Sequence, residues 1–489
     1  MMKSNKNTLK KNILYNSIYN IYIIIIPLVL SPYLSRTLGV TAIGIFSFTF
    51  AVANYFKRFS LLGMEKYGNR SIALVKNDNE KKRSSFWGIY KIQFVCSLFC
   101  LLVYFIYIAF FNKMGLTSII QSLFILSAMF DVSWYFFGNE NFKPVVIILL
   151  IFKTIYLILT FIFIKQSKDI NLYTFISAIS YLLPNLIIFI IAVIKEKYIS
   201  NTKEQLKLIL RGTLLLFIPV IAVTLYKSMD KVMLGIICKT TFENGLYENA
   251  EKIIHVPISI IAAISTVMMP RMTQLYRDHK EEKAYKLIEN TIWYSSFVGI
   301  ACSFGLFGIS NIFANVFWGS DFSECGILLK LFSISVPFMC FAEIIRSQYI
   351  IPNKKDNIYI KAVCLGAILN LIINILMIPK FGARGAVIGT IISEAIVCSY
   401  QTFKIRKDIN TKNLIKEYLK FFPYGLIMGM VLYYIGNQIT YSICSLLIMI
   451  FIGAILYSTL IFLHLFLFDK EKLESILLLI KKKFNKNNN

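Results

Sequence analysis

Long apolar runs alternate with short polar breaks along the chain as far as about position 468. Fourteen of these runs reach roughly 20–28 residues, enough for a helix to cross a hydrocarbon core of about 30 Å. They lie near 13–34, 41–63, 85–111, 117–138, 143–164, 170–194, 209–236, 248–270, 287–316, 325–350, 356–379, 384–404, 417–437 and 441–468. The runs at 41–63 and 248–270 carry the most polar residues. Between runs, the longest expected outer loop is 237–247 and the longest inner loop is 64–84. Neither side has room for a soluble catalytic or receptor domain. The pattern predicts an all-α integral membrane protein with about fourteen transmembrane helices.

Composition agrees with this reading. With 57% hydrophobic and 16% charged residues, a soluble fold could not cover its surface with polar groups. The net charge of +26 raises nucleic acid as a partner. The distribution of that charge points elsewhere. With the N-terminus in the cytoplasm, Lys and Arg concentrate in the tails and loops of the inner side, which is the positive-inside bias. The expectation is a multi-pass protein of the cell membrane with both termini cytoplasmic, attracted to anionic lipid headgroups, with no nucleic acid partner. The first run follows Lys3, Lys6, Lys10 and Lys11, lacks a small-residue cleavage site, and reads as an uncleaved helix. The nine cysteines form no CxxC or Cys/His cluster and read as packing residues. In the tail, residues 469–489, Leu473, Ile476, Leu477, Ile480 and Phe484 recur at helical spacing beside Lys481, Lys482 and Lys483. This reads as a basic amphipathic helix on the inner leaflet, or as a continuation of the last span.

A faint repeat divides the rest. Gly44-Ile45-Phe46 opens the second run and Gly245-Leu246-Tyr247 precedes the eighth, while the runs before them carry Pro27 and Pro219. Two six-helix lobes, 1–200 and 205–404, followed by a helix pair at 405–468, fit this duplication. Facing lobes with a substrate site between them are a common transporter plan.

Ionisable groups inside the spans are costly and invite a functional reading, with depth deciding its weight. Lys91, Arg211 and Lys361 lie close enough to a helix end to snorkel. Lys57 and Arg58, nearer the inner end of their run, fit either reading. Lys153 lies close to the midplane, and Glu394 at similar depth, so each needs a hydrated cavity or a partner. Asn16/Asn20 and Asn370/Asn374 are i, i+4 pairs suited to helix packing or to sugar hydroxyls. Lys227, Asp230 and Lys231 are spaced to share a helix face and lie near Glu248, Glu251 and Lys252. The mixed signs suggest partial pairing, with leftover cations for an anionic headgroup. Arg36 is placed to join them. Arg346 with Glu343 reads as an inner counterpart or as a surface ion pair, and His255 as a packed histidine or a proton carrier. No phosphate loop, HExxH or GxSxG motif is present, so nothing argues for an enzyme.

Several stretches carry a family resemblance. Pro32-Tyr33-Leu34-Ser35-Arg36-Thr37-Leu38-Gly39 is followed by Gly44-Ile45-Phe46-Ser47-Phe48. Asp131-Val132-Ser133-Trp134 continues to Gly138-Asn139-Glu140-Asn141-Phe142-Lys143. Asp230-Lys231-Val232-Met233-Leu234-Gly235 precedes Gly245-Leu246-Tyr247-Glu248-Asn249-Ala250. On the C-terminal side stand Gln348-Tyr349-Ile350-Ile351-Pro352, Asn370 and Asn374 before Ile378-Pro379, and Gly382-Ala383-Arg384-Gly385-Ala386. In this order, over about 13–400, they resemble the Wzx-type polysaccharide and O-antigen repeat-unit flippases of the multidrug/oligosaccharidyl-lipid/polysaccharide (MOP) superfamily. The last two spans match by position only.

The resemblance implies a bilobed, MATE-like fold that carries undecaprenyl-pyrophosphate-linked oligosaccharide from the inner to the outer leaflet by alternating access. A polysaccharide polymerase and glycosyltransferases would be partners. In this reading Lys153, Arg36, Arg58, Lys227, Lys231, Lys252 and Arg346 receive the pyrophosphate, and Asn20, Asp131, Trp134, Asn370 and Asn374 line the path of the sugars. Asp230, Glu394 or Asp131 would carry H+ or Na+, and no other cofactor or metal is expected. Alternatives of the same fold are a flippase for lipid II or another lipid-linked glycan and a cation-coupled multidrug exporter. A membrane polymerase or glycosyltransferase is disfavoured by the short outer loops.

Overall fold

The computed structural model describes residues 2–111 and 114–474, with side chains from Tyr15 onward apart from those at 16, 17 and 20. The amphipathic stretch beyond 474 and the Asn16/Asn20 pair therefore lie outside the described residues. In chain order the helices are α1 (Met2–Leu61), α2 (Met64–Leu74), α3 (Asn79–Phe111), α4 (Leu116–Ile120), α5 (Ser122–Met129), α6 (Ser133–Gly138), α7 (Phe142–Phe163), α8 (Ile170–Lys195) and α9 (Lys203–Ile237). They continue with α10 (Phe242–Arg277), α11 (Glu281–Phe317), α12 (Cys325–Phe332), α13 (Val336–Ile344), α14 (Asp356–Phe381), α15 (Ala383–Ile405), α16 (Thr411–Leu419), α17 (Phe422–Gly436) and α18 (Ile443–Phe468). No strand occurs among the described residues.

Among the described residues thirteen helical stretches are long and apolar enough to cross a membrane, and the first, Ile21–Leu74, spans most of the first expected run and all of the second. The break between them is Gly39, at φ 77° and ψ 173° inside α1. A side chain is strained at that φ, so glycine permits the turn. Other spans are interrupted where the sequence removes regular helix bonding. Pro337 and Pro423 stand in the first turns of α13 and α17, where their missing N–H costs nothing. The span Leu116–Gly138 breaks at Asp131, whose carboxylate accepts from Ser133 N at 3.3 Å and Ser133 Oγ at 2.7 Å. Large apolar side chains such as Val95, Phe99, Leu102 and Ile106 on α3 are exposed, as lipid-facing positions must be.

The chain forms two compact units. The first contains residues 1–253 and 360–393, the second 254–359 and 394–489. This division runs along other lines than the sequence halves, because α9, the start of α10 and most of α14 fall in the first unit. In the first unit, one core gathers Met64, Phe86, Trp134, Tyr135 and Val145, and another gathers Phe48, Tyr104, Phe124 and Ile125. In the second, α11 packs along α12, α13, α16, α17 and α18.

The repeated glycines explain part of the first unit. A Cβ on Gly44 would lie 1.8 Å from the carbonyl oxygen of Thr241, and one on Gly245 would lie 2.1 Å from that of Val40. The two members of the sequence repeat thus form one helix crossing, each pressed on the backbone of the other's approach. Thr241 Oγ1 also donates to Thr41 O at 3.1 Å, and Asn249 Nδ2 donates to Ser35 Oγ at 2.8 Å. Close backbone approach through small residues is how helices associate in lipid. Gly44→Ala and Gly245→Ala are each expected to destabilise the protein by about 3 kcal/mol, since the obstructing atoms are backbone. Heating in detergent followed by fluorescence size-exclusion measures this. Gly305→Ala, whose Cβ would meet only Met428 Cε at 3.8 Å, should retain the wild-type midpoint.

Candidate functional site

The first unit buries two lysines around one tyrosine. Lys153 is the twelfth residue of α7, roughly 17 Å along a span of about 33 Å, and is 8% exposed. Its Nζ donates to Ser180 Oγ at 3.2 Å and lies 3.5 Å from the ring centre of Tyr181 on α8. Lys57, 9% exposed on α1, donates to Ser127 Oγ at 3.2 Å. Its Nζ lies 4.1 Å from the Phe124 ring and 5.0 Å from Tyr181. Among the described residues neither ammonium has a carboxylate within 4.0 Å.

Magnitudes show what this arrangement lacks. A cation–π contact is worth about 0.5–2 kcal/mol, whereas burying an ammonium costs several kcal/mol. Rings and hydroxyls offset only part of that cost. The arrangement is suited to a diffusible anion, which supplies the missing charge.

Lys57 rather than Arg58 belongs here. Arg58 turns away to an ion pair with Glu65 at 3.3 Å and is over a third exposed. Lys57 shares a buried face of α1 with Ala53 and Leu61, at i, i+4 and i+8.

A second buried site joins residues that the sequence placed on separate helices. Asp230 Oδ2 accepts from Tyr247 Oη at 2.5 Å and Thr390 Oγ1 at 2.9 Å, and Oδ1 accepts from Asn374 Nδ2 at 2.5 Å. Asn374 Nδ2 also donates to Asn370 Oδ1 at 3.0 Å, while Asn374 Oδ1 is buried without a partner. Asp230, Asn370 and Asn374 therefore converge, joined by Tyr247 and Thr390, which the sequence reading did not assign to a site. All the donors are neutral, and among the described residues no Lys or Arg pairs with Asp230. Carboxylate, amide and hydroxyl oxygens in this density suit a proton or a small hard cation.

Other expected positions part company. Lys231 meets Glu248 at 2.6 Å and Glu251 at 2.7 Å, Lys252 meets Glu248 at 3.1 Å, and Ser47 Oγ donates to Glu248 at 2.9 Å. Two lysines face two glutamates, so the leftover positive charge expected of Lys231 and Lys252 is taken up by carboxylates. Lys227 is exposed while Asp230 is buried, so these two do not share an environment. Arg36 is exposed and donates to Pro32 O at 3.4 Å. Arg346 pairs with Glu343 and lies 5.2 Å from the Tyr359 ring; these residues, with buried Glu394, belong to the second unit. Trp134 is a core residue rather than a lining one. It is 1% exposed, donates to Gln93 Oε1 at 3.1 Å and covers Gly68, whose Cβ would sit 2.5 Å from its ring. Asp131 is half-buried and one of its carboxylate oxygens, Oδ1, accepts at the start of α6. His255 is exposed on α10 rather than packed.

A polytopic helical bundle that buries two cations in one site and a carboxylate in another belongs to the membrane proteins in which charge at depth marks a functional site. The family model described as polysaccharide biosynthesis protein matches residues 9–276, and the one described as lipid II flippase MurJ matches 151–464. The chain belongs to the polysaccharide biosynthesis protein family. It is 24% identical to a candidate O-antigen transporter of Escherichia coli (strain K12), over 83% of this chain and 99% of that one. It is also 24% identical to the capsular polysaccharide biosynthesis protein CapF of Staphylococcus aureus, over 54% of this chain and 68% of that protein. Among solved structures, lipid II flippase MurJ in an inward closed conformation aligns with a TM-score of 0.71 at 20% identity, covering 93% of this chain and 98% of that one. An inward-facing multidrug resistance MATE transporter of the MOP superfamily aligns at 0.58 and 14% identity, over 83% and 96%. The fold is that of these transporters.

Proposed function

We propose that the protein is a transporter, not an enzyme, that moves undecaprenyl-pyrophosphate-linked oligosaccharide from the inner to the outer leaflet of the cell membrane for surface polysaccharide synthesis. Its termini are cytoplasmic, and its two six-helix halves, 1–200 and 205–404, provide alternating access. The observation that carries this reading is the Lys153–Tyr181–Lys57 cluster, two buried cations with no carboxylate within 4.0 Å among the described residues. Carrying a pyrophosphate through about 30 Å of hydrocarbon requires such groups, because an unpaired polar group in apolar surroundings costs several kcal/mol. A cationic drug would be repelled from the same place. The cycle draws on H+ or Na+ taken up at Asp230. A polymerase and glycosyltransferases act beside it on the same lipid-linked substrate.

The match to the MurJ model over 151–464 favours one second reading, a lipid II flippase. Reconstitution separates the two. Proteoliposomes loaded on one leaflet with fluorescent lipid-linked oligosaccharide should expose it to an impermeant quencher faster than protein-free vesicles do. Excess unlabelled lipid II should leave that rate unchanged. Full competition by lipid II would establish the second reading, and no exposure above the protein-free rate would defeat both.

A further inference from the structure

The second unit contains a recess of 1030 Å³ between α11, α13, α15, α16 and α17. This exceeds the roughly 300–1,000 Å³ that drug-sized ligands fill. One wall is lined by α16 from Thr411 to Leu419 and by α17 from Phe422 to Met430, each stretch roughly 12 Å at helical rise. Its walls include the half-exposed side chains of Phe403, Leu419 and Met430, so it opens along the side of the unit.

Four of the polar side chains in the body of the recess are spent on backbone carbonyls. Ser303 Oγ donates to Ser333 O at 2.7 Å, Ser333 Oγ to Lys330 O at 2.8 Å, Thr402 Oγ1 to Cys398 O at 2.7 Å and Tyr418 Oη to Pro337 O at 2.9 Å. Sugar hydroxyls would find few free partners among them. Hydrocarbon would fill it, and an unfilled apolar hollow forfeits the dispersion contacts of its lining.

One end differs. Arg406, Lys407 and Lys412 are exposed at the junction of α15 and α16 and contribute to the lining. Arg406 stacks on Phe403 with its guanidinium carbon 3.7 Å from the ring centre, and none of the three pairs with a carboxylate among the described residues. Asp408, the acid between them, is engaged instead by Lys355 Nζ at 2.7 Å. Three cations cap a largely apolar recess.

We propose that this recess is a binding site for an anionic diacyl phospholipid, its acyl chains along α17 and its phosphate held by Arg406, Lys407 and Lys412. Basic pockets between transmembrane helices hold acidic headgroups in this way, each cation adding about 1 kcal/mol, or roughly fivefold in affinity.

The test is native mass spectrometry of the full chain released from nanodiscs of equimolar phosphatidylglycerol and phosphatidylcholine with matched chains. Phosphatidylglycerol adducts should exceed phosphatidylcholine adducts by at least about tenfold. R406Q/K407Q/K412Q should abolish that excess, and R406K/K407R/K412R should keep it. Leu426→Trp, which fills the apolar body without changing charge, should lower both adducts. Equal retention of the two lipids, an excess that survives the glutamine variant, or adducts unaffected by Leu426→Trp would each overturn the proposal. So would displacement of phosphatidylglycerol by equimolar polyprenyl phosphate, which would assign the recess to a carrier lipid. The readout is lipid retention, so failure of the export reading leaves this result unchanged.

Discussion

Lys153→Gln is expected to lower export of lipid-linked oligosaccharide by roughly a hundredfold or more while leaving membrane insertion and abundance unchanged. Removing one member of a buried charge interaction typically costs about 2–5 kcal/mol, and each 1.4 kcal/mol is tenfold. The loss falls on the loaded transporter. In the unloaded protein the ammonium is only partly compensated by Ser180 and the Tyr181 ring, so replacing it with a neutral amide relieves a desolvation cost. The variant should therefore be at least as thermally stable as the wild type. That combination, lost transport with retained stability, distinguishes an anion-receiving lysine from a structural one. Lys57→Gln should behave likewise with a smaller loss, because its ammonium is farther from the shared tyrosine. The double variant should fall short of the summed effects, as expected for two groups acting on one ligand. Tyr181→Phe preserves the ring face and should retain most activity. Tyr181→Leu removes it and should lose about fivefold. The assay is leaflet exchange in proteoliposomes normalised to protein content. Wild-type exchange by Lys153→Gln would remove this residue from the mechanism.

How far the sequence could be read depended on the range of the interaction involved. The spans were legible because a bilayer imposes length and hydropathy locally, and the fourteen runs reappear as helices once Gly39 is recognised as the break within α1. Lys153 was legible from depth alone. The sequence leaves Lys57 and Arg58 open, since adjacent helical residues point about 100° apart and only packing decides which faces inward. Lys227, Asp230 and Lys231 illustrate the same limit. Spacing puts them on one side of α9, yet the carboxylate finds Tyr247, Asn374 and Thr390 while Lys231 finds Glu248 and Glu251. Asn370 and Asn374 were recognised as a pair, but their acidic partner lies about 140 residues away and carries no local mark. Trp134 misled for a different reason. An aromatic with a polar edge suits sugar binding, but here the indole N–H is spent on Gln93 and the ring on Gly68. The motifs that carry the family resemblance turn out to mark helix contacts and breaks. Ser35 meets Asn249, and Glu243 accepts from Ala383 N at 2.6 Å where α15 begins.

Asp230→Asn should leave the fold intact but make export insensitive to an imposed ion gradient. The amide oxygen can still accept from Tyr247 and Thr390, while its nitrogen meets Asn374, whose amide must turn its unpartnered Oδ1 inward to accept from it. What disappears is the negative charge that would exchange a proton or bind Na+. If one elementary charge enters per cycle, a potential of 100 mV supplies about 2.3 kcal/mol, a driving force of roughly fiftyfold. The variant should lose that stimulation and keep the basal exchange seen without a gradient. Asp230→Ala is a different lesion. It strands the Tyr247 hydroxyl and the Asn374 amide in a buried place, at about 1–3 kcal/mol for each unsatisfied group, and should lower the unfolding midpoint as well. Tyr247→Phe removes one donor to the carboxylate, costs about 1.5–3 kcal/mol in stability, and should keep the response to the gradient. Proteoliposomes with imposed H+ or Na+ gradients, each applied alone, identify which ion the site takes. A full response to both gradients in Asp230→Asn would show that coupling resides elsewhere, and the Asp230 cluster would then be a packing element of the first unit.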